Sequence, residues 1–168
     1  PDAMCPTKES VDPHKKILEI DDIDWDFDMY AADKKMFETI TSDSDWLVDQ
    51  LKVYPSEVTP HTELKEEYER GLHRSYAEEI IDHPTIKKYT KLHDLLIYAK
   101  SIMPKTIRIN RIIRDIPSNY ILGGASDVSM RQVLQSEMKR RNLVCKCVSC
   151  REIKKSGIDW GDIKFVSY

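Results

Sequence analysis

Apolar positions along this chain alternate between helical and strand spacing. Met36, Phe37 and Ile40 recur as one helical face and predict a helix from about Asp33. Leu51-Lys52-Val53-Tyr54 reads as a short strand ended by Pro55. Thr59 and Pro60 suit the cap and first position of a second helix, with Leu64 and Tyr68 inward and Gly71 ending it. A longer helix is predicted from about Thr85. Its apolar stripe runs Ile86, Tyr89, Leu92, Leu95, Leu96, Ala99 and Met103, and Pro104 closes it. Thr106 to Ile113 alternates with β-branched residues and predicts a strand, with Arg108, Asn110 and Arg111 on its polar side. Gly123-Gly124 breaks the chain. Asp127 or Ser129 then caps a helix through about Arg141, with Met130, Val133, Leu134 and Met138 inward. Asp162 to Tyr168 reads as one more strand.

Strand, helices, strand, helix is the rhythm of a parallel sheet with crossover helices, so the predicted fold class is α/β. Two strands cannot bury such helices alone, so the sheet is expected to continue in another subunit or in more of the same polypeptide. The 168 residues suit one domain, and 40% hydrophobic content is enough for a core. No run of about 18 apolar residues exists, so no membrane span is expected. The start, Pro1-Asp2-Ala3-Met4-Cys5, has neither the basic end nor the apolar stretch of a signal peptide.

Charge changes the picture more than composition does. Residues 1–50 hold 5 basic and 14 acidic side chains, whereas residues 101–168 hold 13 and 6. Within 105–155 the balance is 12 to 4. An acidic leading segment, with Trp25 and Phe27 set among aspartates, is thus joined to a basic binding face. That face contains Arg108, Arg111 and Arg114 from one strand and its exit. Lys139, Arg140 and Arg141 end a helix, where cations also suit the helix dipole. Aromatics nearby are few, so backbone or shape recognition of folded RNA is expected rather than stacking of single strands.

The densest chemistry is Cys145-Lys146-Cys147-Val148-Ser149-Cys150-Arg151. Three thiols in six residues supply three ligands to a soft metal, and crowded thiols of this kind favour a reducing compartment over a disulfide framework. Lys146, Arg151, Lys154 and Lys155 ease deprotonation. Tetrahedral zinc needs a fourth ligand, for which Cys5 and the five histidines are the candidates. An iron–sulfur cluster and ordinary or redox-labile thiols are the alternatives. Lys52, at the end of a parallel-type strand, stands where such sheets meet ligands. His61, His73, His83 and His93 show no metal-pair spacing and read as surface or capping residues. No nucleophile–base set is present.

Several of these segments, in this order, carry a resemblance. Leu51-Lys52-Val53-Tyr54-Pro55, Arg108-Ile109-Asn110-Arg111-Ile112-Ile113-Arg114-Asp115-Ile116-Pro117, Met130-Arg131-Gln132 and the cysteine run together resemble the catalytic subunit family of Elongator, the radical SAM tRNA-uridine acetyltransferases. Asp33-Lys34-Lys35-Met36-Phe37 and Ile97-Tyr98-Ala99-Lys100-Ser101-Ile102 resemble it too. The resemblance implies the second half of a partial radical SAM (β/α) barrel, and modification of the wobble uridine of tRNA. In the complete enzyme it implies a 4Fe-4S cluster, S-adenosylmethionine and acetyl-CoA. It further implies that Cys145, Cys147 and Cys150 hold zinc beside the tRNA surface. Arg108, Arg111 and Arg114 would flank the RNA-facing cleft, and Lys52 would point to the active-site mouth.

The chain also departs from that family. The cluster-binding cysteines lie upstream of anything present, and the acetyl-CoA domain would begin about where Tyr168 stands. Ser56 and His61 replace residues that relatives often carry as Cys and Trp. The expectation is therefore a division into an acidic loop (1–32), the C-terminal part of the barrel (33–125) and a helix plus zinc-binding, tRNA-facing segment (126–168). Its RNA-binding side chains are Arg108, Arg111, Arg114, Lys139, Arg140, Arg141, Lys146 and Arg151, its partners are tRNA and the remainder of the enzyme or Elongator-like subunits, and its compartment is the cytoplasm. No residue of this chain is expected to catalyse by itself. The alternative is a stand-alone zinc-stabilised RNA-binding or subunit-contact module.

Overall fold

The computed structural model describes residues 29–153, 157–165 and 167; the acidic 7–28 segment and Cys5 lie outside the described residues. Helix α1 (Met29–Ser42) buries Phe37 and partly buries Met36 and Ile40, the face its spacing predicts. It packs along α3 (Lys91–Ile102), which is covered on most of its surface: Leu92, Leu95, Leu96, Ile97 and Ala99 are all buried. Each fully buried leucine of this kind stabilises the fold by roughly 1.5–3 kcal/mol relative to exposure.

The predicted start of α3 near Thr85 is corrected. The helix opens at Lys91, where Thr90 (φ −128°, ψ 165°) is the cap and its backbone N–H donates to His93 Nδ1 at 3.1 Å. The preceding residues are engaged elsewhere. Ile81 N–H donates to Tyr89 O at 2.8 Å, and His83 Nδ1 accepts from the N–H groups of Thr85 and Ile86. Tyr89 is buried as expected, but from this turn rather than from a helix. At the other end Met103 is extended (ψ 126°), as a residue before proline prefers.

Strands β1 (Gln50–Lys52) and β3 (Arg108–Arg111) pair in parallel, with Gln50 opposite Arg108, Leu51 opposite Ile109 and Lys52 opposite Arg111. An irregularity falls between Leu51 and Lys52. β3 is shorter than the 106–113 expected: Ile107 and Ile109 are buried in the predicted alternation, but the phase breaks at exposed Arg111 and buried Ile112. The crossover includes α2 (Glu63–Glu69) and α3. The cap of α2 is Thr62, whose Oγ1 accepts from Lys65 N–H at 3.3 Å, and not Thr59. His61 (φ +65°) turns the chain just after Pro60, so Pro60 stays outside the helix.

Gly123-Gly124 does not break the chain but forms β4, antiparallel to β2 (Glu57–Val58). Gly124 has φ +91°, and a Cβ there would lie 2.3 Å from the Ser56 carbonyl oxygen. Only glycine lets these backbones approach so closely. Helix α4 (Met130–Arg140) follows, with Met130, Leu134 and Met138 buried against the rest of the core. Asp127 Oδ1 accepts from Ser129 N–H at 2.8 Å ahead of it. The short helix α5 (Val148–Arg151) completes the main body. The strand expected over 162–168 is not found among the described residues. Trp160–Asp162 is a 3-10 turn closed by Asp159, and Phe165 is fully exposed. The result is a mixed α/β fold with parallel strands and one core running from Phe37 through α3 and β3 to Cys145 and Cys147.

Candidate functional site

The three thiols are brought together by the chain reversal after α4. Asn142 takes a left-handed conformation (φ 56°), and Leu143 N–H returns to Met138 O at 2.8 Å. The cysteine loop is then fastened to the β3 strand. Val148 N–H donates to Ile107 O at 3.0 Å, and Ser149 Oγ donates to Ile109 O at 3.0 Å. Arg151 closes the loop from outside, donating to the carbonyls of Lys146 and Lys105, each at 2.7 Å.

The Sγ atoms of Cys145, Cys147 and Cys150 all lie within 4.8 Å of one another. Cys145 and Cys147 are buried and Cys150 is half-buried. A hydrogen bond from the Cys145 thiol pulls Cys147 down to about 4, against burial, with help from the backbone N–H groups of Cys150 and Ile109. The same bond, together with burial, pushes Cys145 up. The pair thus favours a single thiolate, on Cys147. Sulfurs around a tetrahedral zinc ion lie about 3.8 Å apart, given a Zn–S distance of about 2.3 Å, so a small contraction suffices. Among the described residues the cluster contains these three side chains and no fourth His, Cys, Asp or Glu.

Three of the described histidines lie outside the thiol cluster. His93 caps α3, and burial holds its pKa down. His83 is buried with Nε2 3.1 Å from Glu137, so it is no surface residue. His73 is also buried, which corrects the surface reading, and desolvation lowers its pKa.

The basic residues separate into groups. Pairing of β1 with β3 sets Lys52 opposite Arg111 at the carboxyl ends of parallel strands, where Arg114 lies 5.1 Å above the Tyr54 ring. Lys52, Arg111 and Arg114 are exposed, and among the described residues Arg111 makes a 3.7 Å pair with Asp115. Arg108 pairs with Glu152, and Lys146 is exposed on the cysteine loop. Lys139 lines a cavity of about 450 Å³ together with Lys100, Gln135, Met138, Cys145 and Cys150. Arg140 and Arg141 instead turn onto Glu137, whose side chain is 1% exposed. Arg141 also reaches Asp94 at 2.9 Å and the Tyr89 hydroxyl at 2.7 Å. Bonds from Arg140, then Arg141 and His83, hold the Glu137 carboxyl well below the usual range despite its burial.

Sequence reasoning passed over two residues here, Glu137 and Lys100. Both fall on the inward stripe of their helices, seven residues after Met130 and four after Leu96. A charge at an inward position was the available signal. Arg131 is a third, donating to the carbonyls of Ile109 and Asn110 at the end of β3.

Residues 48–140 match the Radical_SAM C-terminal domain family. The tRNA uridine(34) acetyltransferase of Methanocaldococcus infernus is 37% identical over 121 residues, covering 72% of this chain and 21% of that protein. Elongator complex protein 3 of Saccharomyces cerevisiae is 28% identical over 121 residues, covering 72% of this chain and 20% of that protein. The solved structure of the archaeal Methanocaldococcus infernus Elp3 with an N-terminus deletion superimposes with a TM-score of 0.64 at 36% identity, over 74% of this chain and 26% of that one. The chain therefore spans about a fifth of the length of such relatives. Among the described residues no helix is long and apolar enough to cross a membrane.

Proposed function

The chain belongs to the radical SAM C-terminal domain family, and from that premise we propose that it serves a tRNA-uridine acetyltransferase of the Elongator kind. In this reading residues 33–125 are the C-terminal part of the (β/α) barrel, with β1 and β3 as two of its parallel strands. The acidic run of residues 1–28 precedes helix α1, which begins at Met29 and so moves the boundary expected at residue 32. Residues 126–168 are a metal-bearing, tRNA-facing segment leading toward an acetyltransferase domain, and the compartment is the cytoplasm. The remainder of the enzyme or its Elongator-like partners would supply the 4Fe-4S cluster, S-adenosylmethionine and acetyl-CoA that start wobble-uridine modification.

The observation that carries this reading is mechanical. The cysteine loop hangs on the Ile107 and Ile109 carbonyls of the strand whose far end presents Arg111 opposite Lys52. Metal loop, strand and basic rim are one connected unit. Cys145, Cys147 and Cys150 would hold zinc, which supplies a rigid tetrahedral node rather than a reactive centre. The chain's own residues would then act on RNA. Arg108, Arg111, Arg114, Lys146 and Arg151 would attract the phosphates flanking the target uridine, Lys139 would extend that field from α4, where Arg140 and Arg141 are already held by Glu137, and Lys52 would face the mouth.

A second reading is an independent zinc-stabilised RNA-binding or subunit-contact module, favoured by the single core that links α1, α3, β3 and the cysteine loop. Titration of the 168-residue chain with tRNA at several salt concentrations tests the common part. Binding should weaken steeply as salt rises, and Arg111→Ala should lower the log–log slope by about 1. A salt-independent interaction, or none, would remove the RNA-facing assignment. A cooperative melt of the isolated chain separates the module from the barrel piece, whose sheet edges need partners.

A further inference from the structure

Lys100 is 2% exposed, in the last turn of α3. Among the described residues its ammonium makes one hydrogen bond, to Cys150 Sγ at 3.6 Å, and no carboxylate lies within ion-pair distance of it. A buried ammonium costs several kcal/mol unless an anion faces it. The carbonyl end of α3 offers partial negative charge, but a lysine serving only that end would extend into water. Here the side chain points inward, to a cavity whose wall it shares with Cys145 and Cys150.

Three thiolates around a divalent metal carry one net negative charge. We propose that Lys100 is a positioning residue of this centre: its ammonium, delivered from α3, balances that charge and keeps Cys150 turned toward the metal. The proposal rests on the metal-binding reading of the cysteine cluster. It gives the site a feature that the cysteine spacing does not contain, a cation built into a different element. Such supporting partners typically change metal affinity 10–100-fold when removed.

The test uses the full 168-residue chain and zinc itself. Zinc affinity is measured by competition with a chromophoric chelator, and the cobalt(II) form is followed by its sulfur-to-metal charge-transfer band. Lys100→Met should raise the zinc Kd about 10–100-fold and shift the cobalt band. Lys100→Arg, which keeps the charge, should recover most of the affinity. Should the Met variant fail to fold, Lys100→Gln against Lys100→Arg provides the same contrast. Equal zinc affinity in the charged and uncharged variants, with only their melting temperatures differing, overturns the assignment of Lys100 and leaves the metal centre standing. A wild-type chain that binds neither zinc nor cobalt overturns the metal centre itself and the proposal with it.

Discussion

Helix α3 meets a polar cluster at each end, and the two are built on opposite plans. At its first turn Asp94 joins Tyr89, Arg141, Glu137, Arg140 and His83. Every charge there faces an opposite charge, so the cluster is complete within the chain. At its last turn Lys100 meets Cys150 of three thiols that are crowded and mostly buried. Three thiolates there would outnumber that one ammonium, and a bound metal cation would complete the cluster. The comparison teaches that burial alone does not mark a functional site. Electrostatic incompleteness does.

The sharpest way to break the contrast is Cys147→Ser. Cys147 is fully buried at the centre of the triad, so this chain should lose stoichiometric zinc on gel filtration and melt at a lower temperature. The first-turn cluster should respond in the opposite sense. Glu137→Gln leaves two guanidinium groups facing a neutral amide and should cost about 3 kcal/mol in urea unfolding, with zinc content unchanged. Zinc loss in that variant would mean the two clusters are one cooperative unit.

Acid separates them further. The folded Glu137 carboxyl is held below its unfolded value, so the unfolded chain binds more protons at low pH. Its contribution is fully present above a pH of about 4.3 and disappears as pH falls through the folded value. Unfolding free energies of wild type and Glu137→Gln should therefore begin to draw together below about pH 4 and meet only at much stronger acidity, with Arg140, Arg141, His83, Asp94 and Tyr89 remaining around the site. His93 adds an earlier loss. Burial lowers its pKa, so its neutral form supports the fold above about pH 6.5 and that support declines as the pH drops. His93→Gln should flatten the decline between pH 6.5 and 5, about the smallest of these effects and readable by thermal melts.

The same contrast explains what could be read in advance. Cys145, Cys147 and Cys150 are neighbours in sequence, so their convergence needed no knowledge of the fold. The helices at α1 and α4, and the buried alternation of Ile107 and Ile109, were legible because periodicity is local. The Glu137 cluster was not, since Arg141 finds Asp94 and Tyr89 only once two helices pack. Boundaries failed where side-chain bonds outweighed spacing. Thr90 with His93 starts α3 later than its stripe suggests, and Thr62 captures the cap expected of Thr59. The glycine pair misled because its lack of side chains, taken as a break, is what admits a strand beside Ser56.

The parallel register of β1 with β3 has a consequence in time. Its two strands are joined only through the whole crossover that contains α2 and α3. Such a pairing waits until the intervening chain has been made and has collapsed, because a long loop must close before any ladder bond forms. The cysteine loop hangs on the second of these strands, and its own closure onto Ile109 spans 40 residues of sequence. A metal held by these thiols would tie the cysteine loop to a strand whose own partner lies far back in the sequence, so loading the site and joining the sheet would be linked.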